Sequence, residues 1–192
     1  MHPYSSDSRE KFRVIGNLAG ASVLVSYLIY RYFAPLEAGV PTFLVYMLPL
    51  TLFGVFYKVF EKMLWRNRIA RKILGVKTPD LNGKWEGVSE DEDQESLLVE
   101  IEQTWSKINI ELTSKSAATF SHAATLMEDE DDDFYLCFTY SNRDRPRAPE
   151  DIEDHIGTAW LEHDDSGGDQ TLQGIYINGR EERGSIRVDR SM

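Results

Sequence analysis

Two long apolar runs in the first third of the chain constrain its fold more than any other feature. The runs are VIGNLAGASVLVSYLIYRYF at residues 14–33 and PTFLVYMLPLTLFGVFYKVF at residues 41–60. Each has about the 20 residues that a helix needs to cross the hydrocarbon core of a bilayer. Arg31 and Lys58 lie near the ends of the runs, where long side chains can reach the headgroups. The sequence therefore predicts two transmembrane helices.

Basic residues flank these runs unevenly. Arg9, Lys11 and Arg13 precede the first run, and the link at residues 34–40 contains none. Six more follow the second run, namely Lys62, Arg66, Arg68, Arg71, Lys72 and Lys77. By the positive-inside rule, the N- and C-termini are cytoplasmic, and the basic residues lie against anionic lipid headgroups. A cleaved signal peptide is the alternative for the first run, but the run is too long for one and the second follows directly.

These features divide the chain into four parts. We expect a cytoplasmic tail at residues 1–13, a transmembrane hairpin with helices at 14–33 and 41–60, a basic juxtamembrane linker at 61–78 and a β domain at 79–192. The net charge of the whole chain, −11, combines two opposite regions. Residues before position 79 include eleven Lys and Arg against four Asp and Glu, and the remainder includes ten against 28. We expect no DNA or RNA partner for such an acidic domain.

From residue 81 onward the hydrophobic pattern has a period of two, interrupted by turn signals. The clearest strand, at residues 96–105, places Leu97, Val99 and Ile101 on one face and Glu100 and Glu102 on the other. No helical pattern lies between these strands, so we do not expect a parallel βαβ architecture in this region. Eight strands are predicted, at residues 81–89, 96–105, 107–114, 117–127, 134–141, 155–163, 171–178 and 183–190.

Eight antiparallel strands can form a sandwich or an up-and-down barrel, and we favour the barrel. Closure removes unpaired edge strands, and eight strands enclose side chains or one small ligand. Gly83-Lys84-Trp85 resembles the Gly-x-Trp signature at the closed end of lipocalin-like barrels. Trp85 on its own is equally compatible with ordinary core packing. The predicted fold class is thus an all-β, lipocalin-like barrel that follows a two-helix transmembrane hairpin.

Arginines recur in two loops that this topology brings to one rim. Arg143, Arg145 and Arg147 follow the fifth predicted strand, and Arg180 and Arg183 follow the seventh. In an up-and-down barrel these two loops lie at the same end. Solvated loop charge is the simpler interpretation of either loop alone. Guanidinium groups that converge on an acidic body favour an anion site, because their planar donors match phosphate.

Aromatic and amide side chains accompany the arginines. Tyr140 and Asn142 end the fifth predicted strand, and Tyr176 and Asn178 end the seventh. Such rings stack on nucleotide bases and such amides bond to base edges, although core packing also accounts for Tyr140. In the seventh strand, either Gln173, Ile175 and Ile177 face inward, or Leu172, Gly174, Tyr176 and Asn178 do. The second set would line a polar, roomy interior.

Sites for catalysis and metal binding are not indicated. His122, His155 and His163 lack the spacing of metal ligands, and the acidic run at residues 128–133 lacks the pattern of an EF-hand. Motifs for a nucleophile elbow, a P-loop or a dinucleotide fold do not occur. We therefore predict a protein that is not an enzyme and has no cofactor.

Short motifs in a fixed order connect the chain to a known family. They are LNGKWEG at residues 81–87, GIYIN at 174–178 and RGSIR at 183–187, behind two membrane runs and a basic linker. This arrangement resembles the two-transmembrane, β-barrel effectors of bacterial CBASS antiphage defence. The resemblance implies an eight-stranded barrel that receives a cyclic dinucleotide made by a partner nucleotidyltransferase. It also implies assembly of the membrane segments, disruption of the inner membrane and death of the infected cell.

Self-association has a candidate element in the first membrane run. Gly16 and Gly20 form a Gly-x-x-x-Gly motif that allows two helices to approach closely, although the motif is common in membrane helices. The sequence is also compatible with two other functions. The protein is alternatively a membrane-tethered lipid-binding barrel, for which the Gly-x-Trp motif is equally suitable, or a structural membrane adaptor with a filled barrel.

Overall fold

The computed structural model describes residues 1–6, 9–33, 42–89, 95–114, 117–129, 133–144, 156–165, 170–179 and 183–191. The chain divides into two compact units. One is a helical unit, Arg9–Lys77, and the other is a barrel unit made of Met1–Ser8 together with Thr78–Met192. The chain therefore leaves the barrel unit early, forms the helical unit and returns.

The helical unit contains α1 (Glu10–Phe33), α2 (Thr42–Lys62), a 3-10 turn (Leu64–Arg66) and α3 (Arg68–Leu74). Both predicted membrane runs are thus helical, and α1 packs against α2. Side chains four residues apart on α1 are buried in this unit, namely Val14, Leu18, Ser22 and Ser26. Within the described residues, Glu10–Tyr32 is a single helix long and apolar enough to cross a membrane, with mean hydropathy 1.5.

The barrel unit is a closed sheet whose strand order is β1-β4-β3-β2-β9-β8-β7-β6-β5. Each of the eight predicted strands is present, and consecutive strands from β2 to β9 pair antiparallel. The predicted total of eight is wrong, because residues expected in the cytoplasmic tail add a ninth strand. The strands are β1 (His2–Ser6), β2 (Gly83–Ser89), β3 (Ser96–Gln103), β4 (Lys107–Thr113), β5 (Ala117–Glu128), β6 (Phe134–Asp144), β7 (Ile156–Asp164), β8 (Thr171–Asn178) and β9 (Arg183–Arg190).

Strand β1 fills a fork between β4 and β5. These two strands pair next to the turn that joins them and then diverge. β1 runs antiparallel to β4, with His2 opposite Ile108, and parallel to β5, with Tyr4 opposite Ala124. Tyr4 is buried, and its hydroxyl donates to the Trp105 carbonyl at 2.7 Å. Five residues that include Pro3 are too short a stretch for a period-two pattern, which is why the sequence did not predict this strand.

We call the end of the barrel where β2 begins and β9 ends the base, and the opposite end the mouth. Alternate residues of the strands face inward, and most of those nearer the base are large, apolar and almost fully buried. Burial of each such side chain stabilises the fold by roughly 1.5–3 kcal/mol. The largest members of this basal core are Leu81, Trp85, Ile101, Ile108, Leu126, Leu136, Leu161 and Leu172.

Trp85 and Arg190 seal the base. The indole of Trp85 is fully buried and donates to the Leu81 carbonyl at 3.0 Å. The Arg190 guanidinium lies over this ring, 5.7 Å from its centroid, and donates to the carbonyls of Asp80 and Asn82. Gly83 has φ 138°, a backbone conformation that favours glycine. The Gly-x-Trp motif thus lies at the base, where Trp85 fills the interior and Arg190 covers its ring.

Candidate ligand-binding site at the mouth of the barrel

The topology places the two arginine-bearing connections at the mouth. The β6–β7 and β8–β9 connections lie at the same end because every strand from β2 onward is antiparallel to the next. Arg145, Arg147 and Arg180 lie outside the described residues. Arg143 is on β6, where its backbone is in register with Ala118 of β5. The strand ends that flank both connections therefore lie at one end of the barrel, and the convergence of the arginines themselves stays a prediction.

Arg183 occupies a different face from the aromatic candidates. It is the first residue of β9, is exposed and lies opposite Ile177, which is also exposed. Tyr176, on the inner face, lies instead opposite Gly184. The structure therefore does not bring Arg183 together with Tyr140, Tyr176 and Asn178 on the inner wall, and any contact with a ligand must occur at the rim.

The inward parity of β8 is the second of the two alternatives. Gln173, Ile175 and Ile177 are exposed, whereas Leu172 is buried at the base. Gly174, Tyr176 and Asn178 follow Leu172 on the inner face and are half-buried. Inner-face side chains that remain partly accessible indicate that the mouth is less filled than the base.

Three of the inner residues form one row across the sheet. Tyr140 lies opposite Gly157, and Gly157 lies opposite Asn178. A Cβ atom placed on Gly157 would lie 2.4 Å from the Cζ atom of Tyr140, so the phenol ring lies directly over this glycine. Gly157 therefore provides the space that Tyr140 occupies, and Tyr176 follows on the same wall, opposite Ala159.

Tyr140 is almost entirely enclosed, with 7% of its surface exposed. Burial raises the pKa of its phenol from 10.0 to about 12, because a phenolate would lose its hydration. The hydroxyl therefore stays protonated at physiological pH. A neutral phenol offers both a hydrogen-bond donor for a phosphate oxygen and a flat surface for a base.

Hydroxyl groups line the adjoining wall, formed by β5. Thr119 and Ser121 are buried, and Ser121 is in register with Tyr140. The Ser121 oxygen accepts from the Ile110 amide at 2.9 Å and forms a 2.8 Å hydrogen bond with the His2 ring. These hydroxyls were not predicted from the sequence, although Thr119 and Ser121 alternate along a predicted strand. Asn142 is in register with Thr119, which places its backbone at the same level of the wall.

The acidic residues that the structure describes show no arrangement suited to a metal ion. Among the described residues, no group of three or more His, Cys, Asp or Glu side chains could hold one. Residues 130–132 and His155 lie outside that description. His163 is buried at the base beside Trp85, with ring centroids 6.4 Å apart. Burial lowers the pKa of His163 below 6.5, although Asp165 and Asp164 act in the opposite direction.

Comparison with known proteins assigns the residues that form most of the barrel to a family. The family described as "Cap15, cyclic dinucleotide receptor domain" matches residues 76–190, which is more than half of the chain. CD-NTase-associated protein 15 from Yersinia aleksiciae is 30% identical over 128 residues, or 65% of this chain. The matched region is 59% of that protein, so the chain spans about three fifths of the length of its relative.

Proposed function

The chain belongs to the Cap15 cyclic dinucleotide receptor family, and from this membership we propose that its ligand binds inside the mouth half of the barrel. This family consists of receptors rather than enzymes. The observation that carries the proposal is the change along the inner faces of β5 to β8, from large apolar residues at the base to glycine, hydroxyl, phenol and amide groups at the mouth. Such a wall is suited to a ligand with planar bases and charged phosphodiesters.

Each part of a cyclic dinucleotide has a chemical counterpart at the mouth. We propose that Tyr140 and Tyr176 contact the bases, and that Asn142 and Asn178 bond to base edges. Arg143, Arg145, Arg180 and Arg183 are proposed to bind the two phosphates from the rim. In a barrel domain with 28 acidic and ten basic residues, an anion depends on such local donors.

Calorimetry on the full chain in neutral detergent tests this placement with a panel of cyclic dinucleotides. Tyr176→Ala and Asn178→Ala are expected to lower the affinity by about tenfold or more, since each loss of a base contact costs about 1–3 kcal/mol. Gln173→Ala, on the exposed face of the same strand, is the matched control and is expected to bind normally. Equal binding by all three variants would contradict the placement, and a copurified lipid displaced by none of the nucleotides would favour the lipid-binding alternative.

The helical unit is proposed to anchor the receptor in the bacterial inner membrane. In this proposal α1 and α2 cross as a hairpin, and both ends are cytoplasmic. Many apolar side chains on the two helices are exposed in the chain alone, as lipid-facing residues are. The strand β1 supplies a separate argument: residues before and after the helical unit belong to one barrel, so the membrane must be crossed an even number of times.

Ligand binding is proposed to promote self-association through α1, followed by disruption of the membrane and cell death. A Cβ atom added at Gly16 or Gly20 would meet no other atom within 4 Å, so this face is open to a second helix. Since a ligand shifts an equilibrium only by its preference for one state, the cyclic dinucleotide must bind the assembled state more tightly.

Vesicle leakage with the reconstituted chain tests this second step. Gly16→Ile with Gly20→Ile is expected to abolish ligand-dependent leakage while leaving calorimetric binding of the nucleotide intact. Gly54→Ile on α2 is the matched control, because an added Cβ at Gly54 also meets no atom within 4 Å. Leakage that persists in the double variant would exclude this face of α1 as the contact.

A further inference from the structure

A basic pocket lies in the helical unit. Its volume is about 390 Å³, and it is bounded by the first turns of α1, by α3 and by the residues that follow α3. Five of its seven lining residues are basic. The lining consists of Arg13, Arg68, Arg71, Lys72, Gly75, Val76 and Lys77.

The pocket has a defined shape because α3 is capped at both ends. Asn67 accepts hydrogen bonds from the amides of Ile69 and Ala70, at 2.9 and 3.2 Å, and thereby starts the helix. Gly75 ends it with φ 68°, in the left-handed conformation. A Cβ atom on Gly75 would lie 2.8 Å from an Nη atom of Arg13, so the guanidinium of α1 packs directly over this glycine.

Hydrogen bonds fix the segment after α3 to the same pocket. The Lys77 amide donates to the Glu10 carboxylate at 2.7 Å, and the Arg71 guanidinium donates to the Lys77 carbonyl at 3.3 Å. Glu10 is buried and accepts a hydrogen bond from this amide. Among the described residues that line the pocket, none carries a carboxylate. The cluster thus has a strong excess of positive charge, which an anion would offset.

Two exposed isoleucines on α3 favour a membrane lipid as the source of such an anion. Ile69 and Ile73 are one helical turn apart and are 71% and 73% exposed. They adjoin the basic stripe of Arg68 and Lys72. A short helix with apolar side chains beside basic ones lies in the interface of a membrane, with the apolar residues in the acyl boundary and the basic residues at the phosphates.

We propose that this pocket binds the phosphate of an anionic phospholipid headgroup, with Ile69 and Ile73 inserted beside the acyl chains. The inference rests on the proposed membrane anchoring of the helical unit and identifies a lipid class for it. Arg13 and Arg71 approach the phosphate from α1 and α3. The lipid would thereby connect the start of one membrane helix to the segment that leads into the barrel.

Binding to short-chain lipids tests the proposal with the full chain in neutral detergent. Dioctanoyl phosphatidylglycerol is expected to bind about tenfold or more tightly than dioctanoyl phosphatidylcholine, as measured by native mass spectrometry. Arg13→Gln with Arg71→Gln is expected to remove this preference. Lys58→Gln with Lys62→Gln makes the same change in charge outside the pocket and is expected to retain it.

Further variants and ligands distinguish a lipid phosphate from free inorganic phosphate. They also distinguish the basic pocket from the proposed site at the mouth of the barrel. Ile69→Asn with Ile73→Asn is expected to weaken phosphatidylglycerol binding several-fold but not the binding of inorganic phosphate. Equal affinity for both lipids overturns the proposal, and so does inorganic phosphate binding as tightly as phosphatidylglycerol. Cyclic dinucleotide affinity is expected to be unchanged in the R13Q/R71Q variant. Tyr176→Ala is expected to retain lipid binding, so failure of either site is recognised independently of the other.

Discussion

The two halves of the barrel interior are built from the same alternating strands but carry different side chains. On β7 the inward residues progress from Gly157 and Ala159 at the mouth to Leu161 and His163 at the base. β8 shows the same gradient in reverse chain direction, from a buried Leu172 to half-buried Tyr176. The basal half therefore provides the packed core, and the mouth half has smaller and more polar inner residues on these two strands.

This separation teaches how a small barrel combines stability with binding. Polar groups and empty space in an interior lower stability, and large apolar side chains would occupy a binding site. Because the polar groups and the large apolar side chains lie at opposite ends of the barrel, the basal core can hold the mouth residues in position. Substitutions in the two halves should therefore have different effects on the free energy of unfolding and on ligand affinity.

The largest difference is expected for truncation of leucines. Leu161→Ala, at the base, should lower the free energy of unfolding by about 2–5 kcal/mol, because the cavity cannot refill. Leu112→Ala, at a half-buried inner position nearer the mouth, should cost markedly less. Denaturant unfolding of the full chain in detergent, followed by tryptophan fluorescence, measures both. Equal losses would show that the mouth is as tightly packed as the base.

A ligand-binding effect of intermediate size is expected at Gly157. Gly157→Ala should displace the Tyr140 ring and weaken cyclic dinucleotide binding by about tenfold, or roughly 1.4 kcal/mol. In a Tyr140→Ala background the same substitution should have little further effect, because the displaced ring is absent. Calorimetry on the wild type, both single variants and the double variant forms a complete cycle. Additive effects would mean that Gly157 acts independently of Tyr140.

Buried titratable residues in the two halves should lose their contributions to stability at opposite ends of the pH scale. The pKa of His163 is lowered by burial, so its contribution to stability is present above pH 6.5 and is lost as the pH falls through the lowered value. The pKa of Tyr140 is raised to about 12, so its contribution is present below pH 10.0 and is lost as the pH rises toward 12.

Thermal unfolding as a function of pH measures both limbs of the stability curve, the acid limb below pH 6.5 and the alkaline limb above pH 10.0. His163→Leu should flatten the acid limb alone, and Tyr140→Phe should flatten the alkaline limb alone. If either variant changes the opposite limb, the assignment of that limb to a single residue is incorrect.

The smallest effect is expected where β1 meets the wall of the mouth. His2→Ala removes the hydrogen bond to Ser121 and should cost about 0.5–1.5 kcal/mol. His122→Ala removes a 2.7 Å hydrogen bond to Ser141 that is exposed, and should cost less. Unfolding measurements on both variants compare these bonds directly. A larger loss in His122→Ala would show that the fork between β4 and β5 does not depend on His2.

Much of the fold was predictable because β2 to β9 carry a strong period of two. The strand pattern of residues 96–105 matches its observed faces, and the Gly83-Lys84-Trp85 motif matches the closed base. The parity of β8 was not predictable, because Ile175 and Ile177 are as apolar as a core residue yet face outward. Strand pairing, rather than local hydrophobicity, decides this face.

The candidate site was predictable in part. Tyr140, Tyr176 and Asn178 are neighbours on the inner wall, in line with their common position at strand ends. Gly157 was missed because its role depends on a partner in the adjacent strand, which a single-strand pattern does not contain. The contribution of His2 to the wall was missed for the same reason, since its partner Ser121 is distant in the sequence.

The position of β1 in the sheet also determines the order in which the protein can be completed. Residues 2–6 leave the ribosome before either helix, but their partners on β4 and β5 are made only after both. Closing such long-range contacts is slow, and until then the fork presents unpaired backbone edges. The barrel therefore closes only after β4 and β5 have been made, and residues 2–6 wait for these partners throughout the synthesis of the helical unit.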